Sequence, residues 1–427
     1  MTRSDEPDRA DLIRADDRTR RTGTTRRRFL LGGAVAGVGA AAAIGIDFAL
    51  GRAGEAGPTD AAASAAPMNG DVTVPFHGVH QAGIDTDAQT HATFVGLDLR
   101  DGVDREALRR LMKVLSDDAA RLTQGDPALA DSEPELALAP ARLTVTFGFG
   151  PRFVERANGA APAWLHPLPA FAVDRLRPEL SDGDLLLQVA ADDPLTVAHA
   201  VRMLLKDARG FASVRWVQQG FRHAYGTHAP GTTMRNLFGQ VDGTANPRPG
   251  TADFDAVVWA EGGGWLAGGT SLVIRRIRMD LEGWDRLDRS GREQSVGRFL
   301  ANGAPLTGSH EDDEPDFSAT TAIGFPVIPE FSHMRRARSD DPAERIFRRG
   351  YNYDVPLGPG AAAGEVSDSG LIFASFQADV DRQFTPLQRR LDELDLLNRW
   401  TVPIGSAVFA IPPGCEPGGY IGETLLV

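Results

Sequence analysis

One series of elements recurs along this sequence. Residues 91–99 alternate toward a strand, residues 104–122 carry Leu108, Leu111, Met112 and Leu115 at helical spacing, and LTVTFGF at 143–149 alternates again. Residues 185–190 then read as a buried strand, 194–208 as a helix opened by Pro194, and 213–221 as a strand. The order is β-α-β-β-α-β. Most of it returns downstream: a strand over 270–279, a helix beginning at 281–287, a strand over 371–378, a helix over 386–397 and a strand over 407–411. A long insertion, about 289–370, interrupts the second series, and a loop of that length inside a compact domain is usually functional.

Two ferredoxin-like modules of the α+β class, each an antiparallel sheet with helices on one face, account for this order. At 427 residues with 42% hydrophobic content, the chain has enough apolar surface for both cores. It divides into residues 1–70, a targeting segment and linker; 71–235, the N-terminal module; and 236–427, the C-terminal module. In the first region a basic stretch precedes a weakly apolar Gly/Ala run, and Thr25, Arg26, Arg27, Arg28, Phe29, Leu30 and Leu31 resemble the twin-arginine export signal. A membrane anchor over 29–50 is the alternative. Export places the protein in the periplasm, the cell envelope or outside the cell, with the twin-arginine translocase as a transient partner. The net charge of −13 argues against a nucleic-acid-binding surface, and the single Cys415 excludes an intrachain disulfide or a cysteine-built metal site.

Two stretches carry chemistry. RNLFGQVDGTANP, residues 235–247, sets the acid Asp242 among glycines and small residues on a tight turn. FSHMRRARSDDPAERIFRRGYNY, residues 331–353 of the insertion, holds His333 and the run Arg348, Arg349, Gly350. An imidazole can ligate a metal or a haem iron, and a guanidinium can stabilise a developing negative charge. Taken singly, each has an ordinary structural reading. No zinc-protease, EF-hand, nucleophile-elbow or phosphate-loop pattern competes with them.

Together with FHGVHQAGI (76–84), WLAGGTSLVIRRIRMDLEGWDRL (265–287) and GAPLTG (303–308), these stretches resemble the dye-decolourising (DyP-type) haem peroxidases. The resemblance is nearest to their exported branch, which includes the bacterial deferrochelatase/peroxidase, and it spans nearly all of the chain after the targeting segment. It implies two ferredoxin-like modules of the dimeric α/β-barrel superfamily, with haem b held mainly by the second. His333 would be the proximal iron ligand, Asp242 the distal acid/base, and Arg348 the distal arginine, with Arg349 the alternative for that role. Gly243, Thr244 and Ala245 would lie against the haem edge, and Phe373 and Phe376 would lean over its distal face. Trp265, Trp284, Tyr351 and Tyr353 are read first as packing. The implied activity is oxidation of dyes, phenols or other bulky reductants by hydrogen peroxide through a ferryl porphyrin-radical intermediate. The alternatives are a deferrochelatase that frees iron from haem, with iron-uptake proteins as partners, or a non-enzymatic haem carrier. Self-association is a further expectation.

Overall fold

The computed structural model describes residues 68–358 and 366–427. Ala66–Val427 forms one compact unit. The expected export signal and most of the expected linker lie outside the described residues. Among the described residues no helix is long and apolar enough to cross a membrane.

Both series form as ferredoxin-like modules. The first contains β1 (His91–Leu99), α1 (Arg105–Thr123), β2 (Thr144–Phe149), β3 (Leu185–Ala191), α2 (Pro194–Ala208) and β4 (Ala212–Phe221). The second contains α3 (Ala252–Val258), β5 (Thr270–Met279), α4 (Arg289–Val296), α5 (His333–Ala337), β6 (Phe347–Arg348), β7 (Tyr351–Val355), β8 (Asp368–Gln377), α6 (Thr385–Leu394) and β9 (Thr401–Ile411). The strand order β2-β3-β1-β4 of the first module recurs in the second as β7-β8-β5-β9. Even the irregularities match: β1 bulges against β4 at Gly96/Leu97, and β5 bulges against β9 at Arg276/Ile277. The modules join through the bridges Phe149–Ala410 and Phe221–Asn352, and β5–β8 pairing closes the sheet into an antiparallel barrel.

Local sequence explains the long helices. Asp104 caps α1 by accepting from the Ala107 amide at 2.8 Å, and Asp193 caps α2 from the Leu195 amide at 3.2 Å, with Pro194 in the first turn. Each cap contributes about 1 kcal/mol. The buried stripe Leu108, Leu111, Leu115 and Leu122 of α1 packs with Met203 and Leu204 of α2 against Val95, Leu97 and Leu99 of β1. Alternate residues of the strands build a second cluster of Phe94, Trp216, Leu272, Tyr351, Tyr353 and Phe376. Tyr351, Tyr353 and Trp284 are buried, as their packing role requires.

Three elements differ from their expected limits. The last strand begins at Thr401 rather than 407, because Pro403 and Gly405 break its apolar alternation. The helix after β8 stops at Leu394, where Asp395 caps the 3-10 turn Leu396–Arg399. The insertion contains the second strand of its own module. β6 and β7 pair with β8 in one continuous register, Phe347 opposite Phe376 and Tyr351 opposite Ile372, so RRGYNY is a strand as well as a motif.

Candidate active site

The acid turn is built by its own motif. The Asp242 amide donates to Met234 O at 2.8 Å, and Arg235 bridges Val241, so residues 234–242 fold back on themselves. Asn236 Oδ1 accepts the amides of Phe238 and Gln240, while Gly239 takes φ +78° to complete the reversal. Arg235 staples the loop from outside by donating to the carbonyls of Gly239, Leu300 and Ala301. Gly243 follows with φ +137°, and a Cβ there would also come within 3.3 Å of Thr233 Cγ2. A side chain at 243 would strain the turn that presents Asp242.

Strand parity places the arginines. Successive side chains of a strand point to opposite faces. Arg348 therefore points away from the face that carries Phe347, Tyr351 and Tyr353, and its Nη1 donates to Asp242 Oδ1 at 2.7 Å. Asn246 locks this pairing: its amide donates to Arg348 O at 2.7 Å, and its Oδ1 accepts from Arg348 N at 3.1 Å. Arg349 is 3% exposed and donates to the carbonyls of Ile84, Thr86 and Asp87 and to Gln89 Oε1. Its guanidinium is committed to the N-terminal module, which corrects its place as the alternative distal arginine. The same parity corrects Phe376. Phe373 and Leu371 line the cavity beside Asp242, whereas Phe376 is fully buried with Ile372 and Ala374 on the other face of β8.

His333 opens α5 and reaches the same cavity. Its Nδ1 pairs with Asp395 Oδ2 at 2.6 Å, while Asp395 Oδ1 accepts the Leu397 amide at 3.0 Å. Burial lowers the imidazole pKa, but the charge and hydrogen bond of Asp395 outweigh it and the net shift is upward. With Nδ1 engaged, Nε2 is left as the ring atom that can ligate a metal. Asp395 is one of several acids in DELDL, and spacing alone does not single it out. Its mark is structural: it caps the turn that follows α6.

Asp242, Arg348 and His333 line one cavity of about 740 Å³, together with Gly243, Thr244 and Ala245. Phe238, Ile277, Met279, Leu371, Phe373 and Leu387 supply apolar walls. Arg275, 1% exposed, also faces it; one edge of its guanidinium pairs with Asp174, while Nε and Nη1 are buried without a partner. A buried, half-paired guanidinium calls for an anionic partner. An apolar chamber with one imidazole ligand atom and a partnerless cationic edge suits a flat macrocycle that carries carboxylates, which is the chemistry of haem.

Residues 81–222 match the N-terminal region of the Dyp-type peroxidase family, and residues 233–416 match its C-terminal region. The chain is 37% identical over 438 residues to a dye-decolorizing peroxidase of Thermobifida fusca, covering 96% of this chain and 98% of that protein. It is 33% identical over 375 residues to a deferrochelatase of Escherichia coli K12, covering 82% and 87%. A DyP-type peroxidase structure from Cellulomonas bogoriensis superposes with a TM-score of 0.81 at 55% identity, covering 84% of this chain and 99% of that one. Family and fold agree: the chain belongs to the Dyp-type peroxidase family and is a peroxidase.

Proposed function

We propose that the chain binds haem b through His333 Nε2 and uses hydrogen peroxide to oxidise dyes, phenols or other bulky reductants. When bound, the haem supplies the iron that receives the peroxide and the ring that takes up oxidising equivalents. The chain's residues handle the proton. Asp242 Oδ1 is held by Arg348, and Oδ2 has only a long contact, 3.4 Å, from Asn236. That oxygen is free to act as a base: it takes a proton from one peroxide oxygen and returns it to the other, which departs as water. Arg348 stabilises the negative charge that builds on the departing oxygen, and Asn246 fixes it there beforehand. Asp395 fixes the tautomer of His333 and raises its basicity toward the iron. Gly243, Thr244 and Ala245 wall the chamber through the turn that carries Asp242.

The observation that carries this reading is the Asp242–Arg348 pair on a cavity shared with the His333–Asp395 pair. A haem carrier would need only the second pair, and iron release from haem gives no reason for the first. The basic stretch and small-residue core near the N-terminus support export through the twin-arginine pathway, and an organic reductant outside the cytoplasm is the partner that this implies. The test is the Soret spectrum of the haem-loaded protein before and after stoichiometric peroxide. Wild type shifts rapidly, and Asp242→Ala slows that shift about 10²–10⁴-fold. A wild-type spectrum that peroxide leaves unmoved overturns the reading.

A further inference from the structure

A second cavity of about 560 Å³ adjoins the first and shares Asp242, Gly243, Thr244, Arg348 and Phe373 with it. Its outer part reaches the exposed residues Asp87, Arg248 and Asp312, so it is a way in from solvent to Asp242. Glu311 lies in its wall. From composition, the acidic run at 311–317 reads as a solvated loop, yet this carboxylate is pinned. Oε1 accepts from Thr233 Oγ1 at 2.6 Å and from Thr244 Oγ1 at 2.8 Å, and the Glu311 carbonyl accepts from Arg298 Nη1 at 2.8 Å.

Three cations of this passage are engaged elsewhere, while the Arg298 guanidinium, held on the Glu311 carbonyl, lies near enough to feel the Glu311 charge. Arg348 is matched by Asp242, Arg349 is tied to backbone carbonyls, and Arg222 donates to Gly350 O at 2.8 Å and lies over the Tyr351 ring. Arg248 is exposed at the mouth. Among the described residues, Glu311 has no ion-pair partner. A fixed carboxylate beside a route into the site acts on charged traffic more than on neutral traffic.

We propose that Glu311 is a charge filter on the route to Asp242: it passes neutral hydrogen peroxide, slows small anions, and braces the Gly243–Thr244 turn through its two threonines. This rests on the haem-peroxidase reading. The test measures association of azide and of peroxide with the haem-loaded full chain by stopped flow, at low and high salt. Glu311→Gln keeps an acceptor for both threonines and removes the charge. The ratio of azide to peroxide rates at low salt rises about fivefold in this variant, and the salt dependence of azide entry shrinks. Glu311→Asp keeps the charge on a shorter arm, so it preserves the azide salt dependence while lowering Tm. A Gln variant whose azide rate and salt dependence equal wild type overturns the filter and leaves Glu311 as a brace. An Asp variant that matches Gln in azide entry does the same. If wild type fails to respond to peroxide while Gln still speeds azide, the peroxidase reading fails and the filter stands.

Discussion

The two modules share strand order and even the position of a bulge, yet one is filled and the other is hollow. In the first, helices of 19 and 15 residues cover the outer face of the sheet, and Val95, Leu97 and Leu99 of β1 pack directly against them. In the second, the corresponding helical pieces are Leu281–Asp285, α4 and α6, of 5, 8 and 10 residues, and Arg275, Ile277 and Met279 of β5 face a cavity instead. Shorter helices leave the sheet face uncovered. Interiors are otherwise packed as densely as organic crystals, so a chamber of this size marks a place where a ligand completes the core. The lesson is that the second module makes its site by subtraction from a scaffold that the first keeps intact.

The sharpest way to break this comparison is to remove the proposed ligand atom. His333→Ala should weaken haem retention by at least about 100-fold, read as Soret absorbance surviving gel filtration. The filled module should answer the opposite assay. Leu111→Ala should cost about 2–5 kcal/mol in denaturant unfolding while the haem-loaded fraction of the folded protein keeps its wild-type Soret position. A displaced Soret band in that variant would show that the modules are not separable. Asp395→Asn is smaller, since it leaves the imidazole in place but loosens its orientation; haem affinity should fall about 10–100-fold.

Much of this division was legible beforehand. The doubled series follows from periodicity, and His333, Asp242 and Arg348 are singled out through the resemblance to the family, not by their local pattern alone. What escaped has physical causes. Phe373 and Phe376 are an odd number of residues apart in a strand, which puts them on opposite faces; the parity was there to be used. Arg348 and Arg349 pose the same question, but RRGYNY lay in an apparent insertion, so no strand was available to apply the rule to. Asp395 and Glu311 are acids among acids, and what distinguishes them is contact across 62 residues to His333 and across 67 and 78 residues to Thr244 and Thr233. Local pattern carries no information about such pairings.

The smallest expected effect sharpens the comparison from the filled side. Asp207 of α2 and Asp118 of α1 face each other, and Asp207 Oδ2 is buried without a donor. Burial, followed by the Asp118 carboxyl, pushes the Asp207 pKa up to about 7, against weaker opposing pulls from Lys206 and Arg209. A proton held there would supply the donor that the pair lacks. A carboxyl pKa raised by folding means that the native state binds the proton more tightly than the unfolded chain. The stabilisation is therefore complete below the unfolded value near 4 and is lost as pH rises through about 7. Asp207 is only half-buried, so solvent screening reduces the effect to a Tm difference of about 2–4 °C between pH 5 and 8. Asp207→Asn should remove that increment, leaving a flatter profile than wild type, while the peroxide response of the haem site keeps its own pH dependence. If both profiles change together, proton binding between the helices of the filled module is felt at the hollow one, and the two halves of the barrel act as one body.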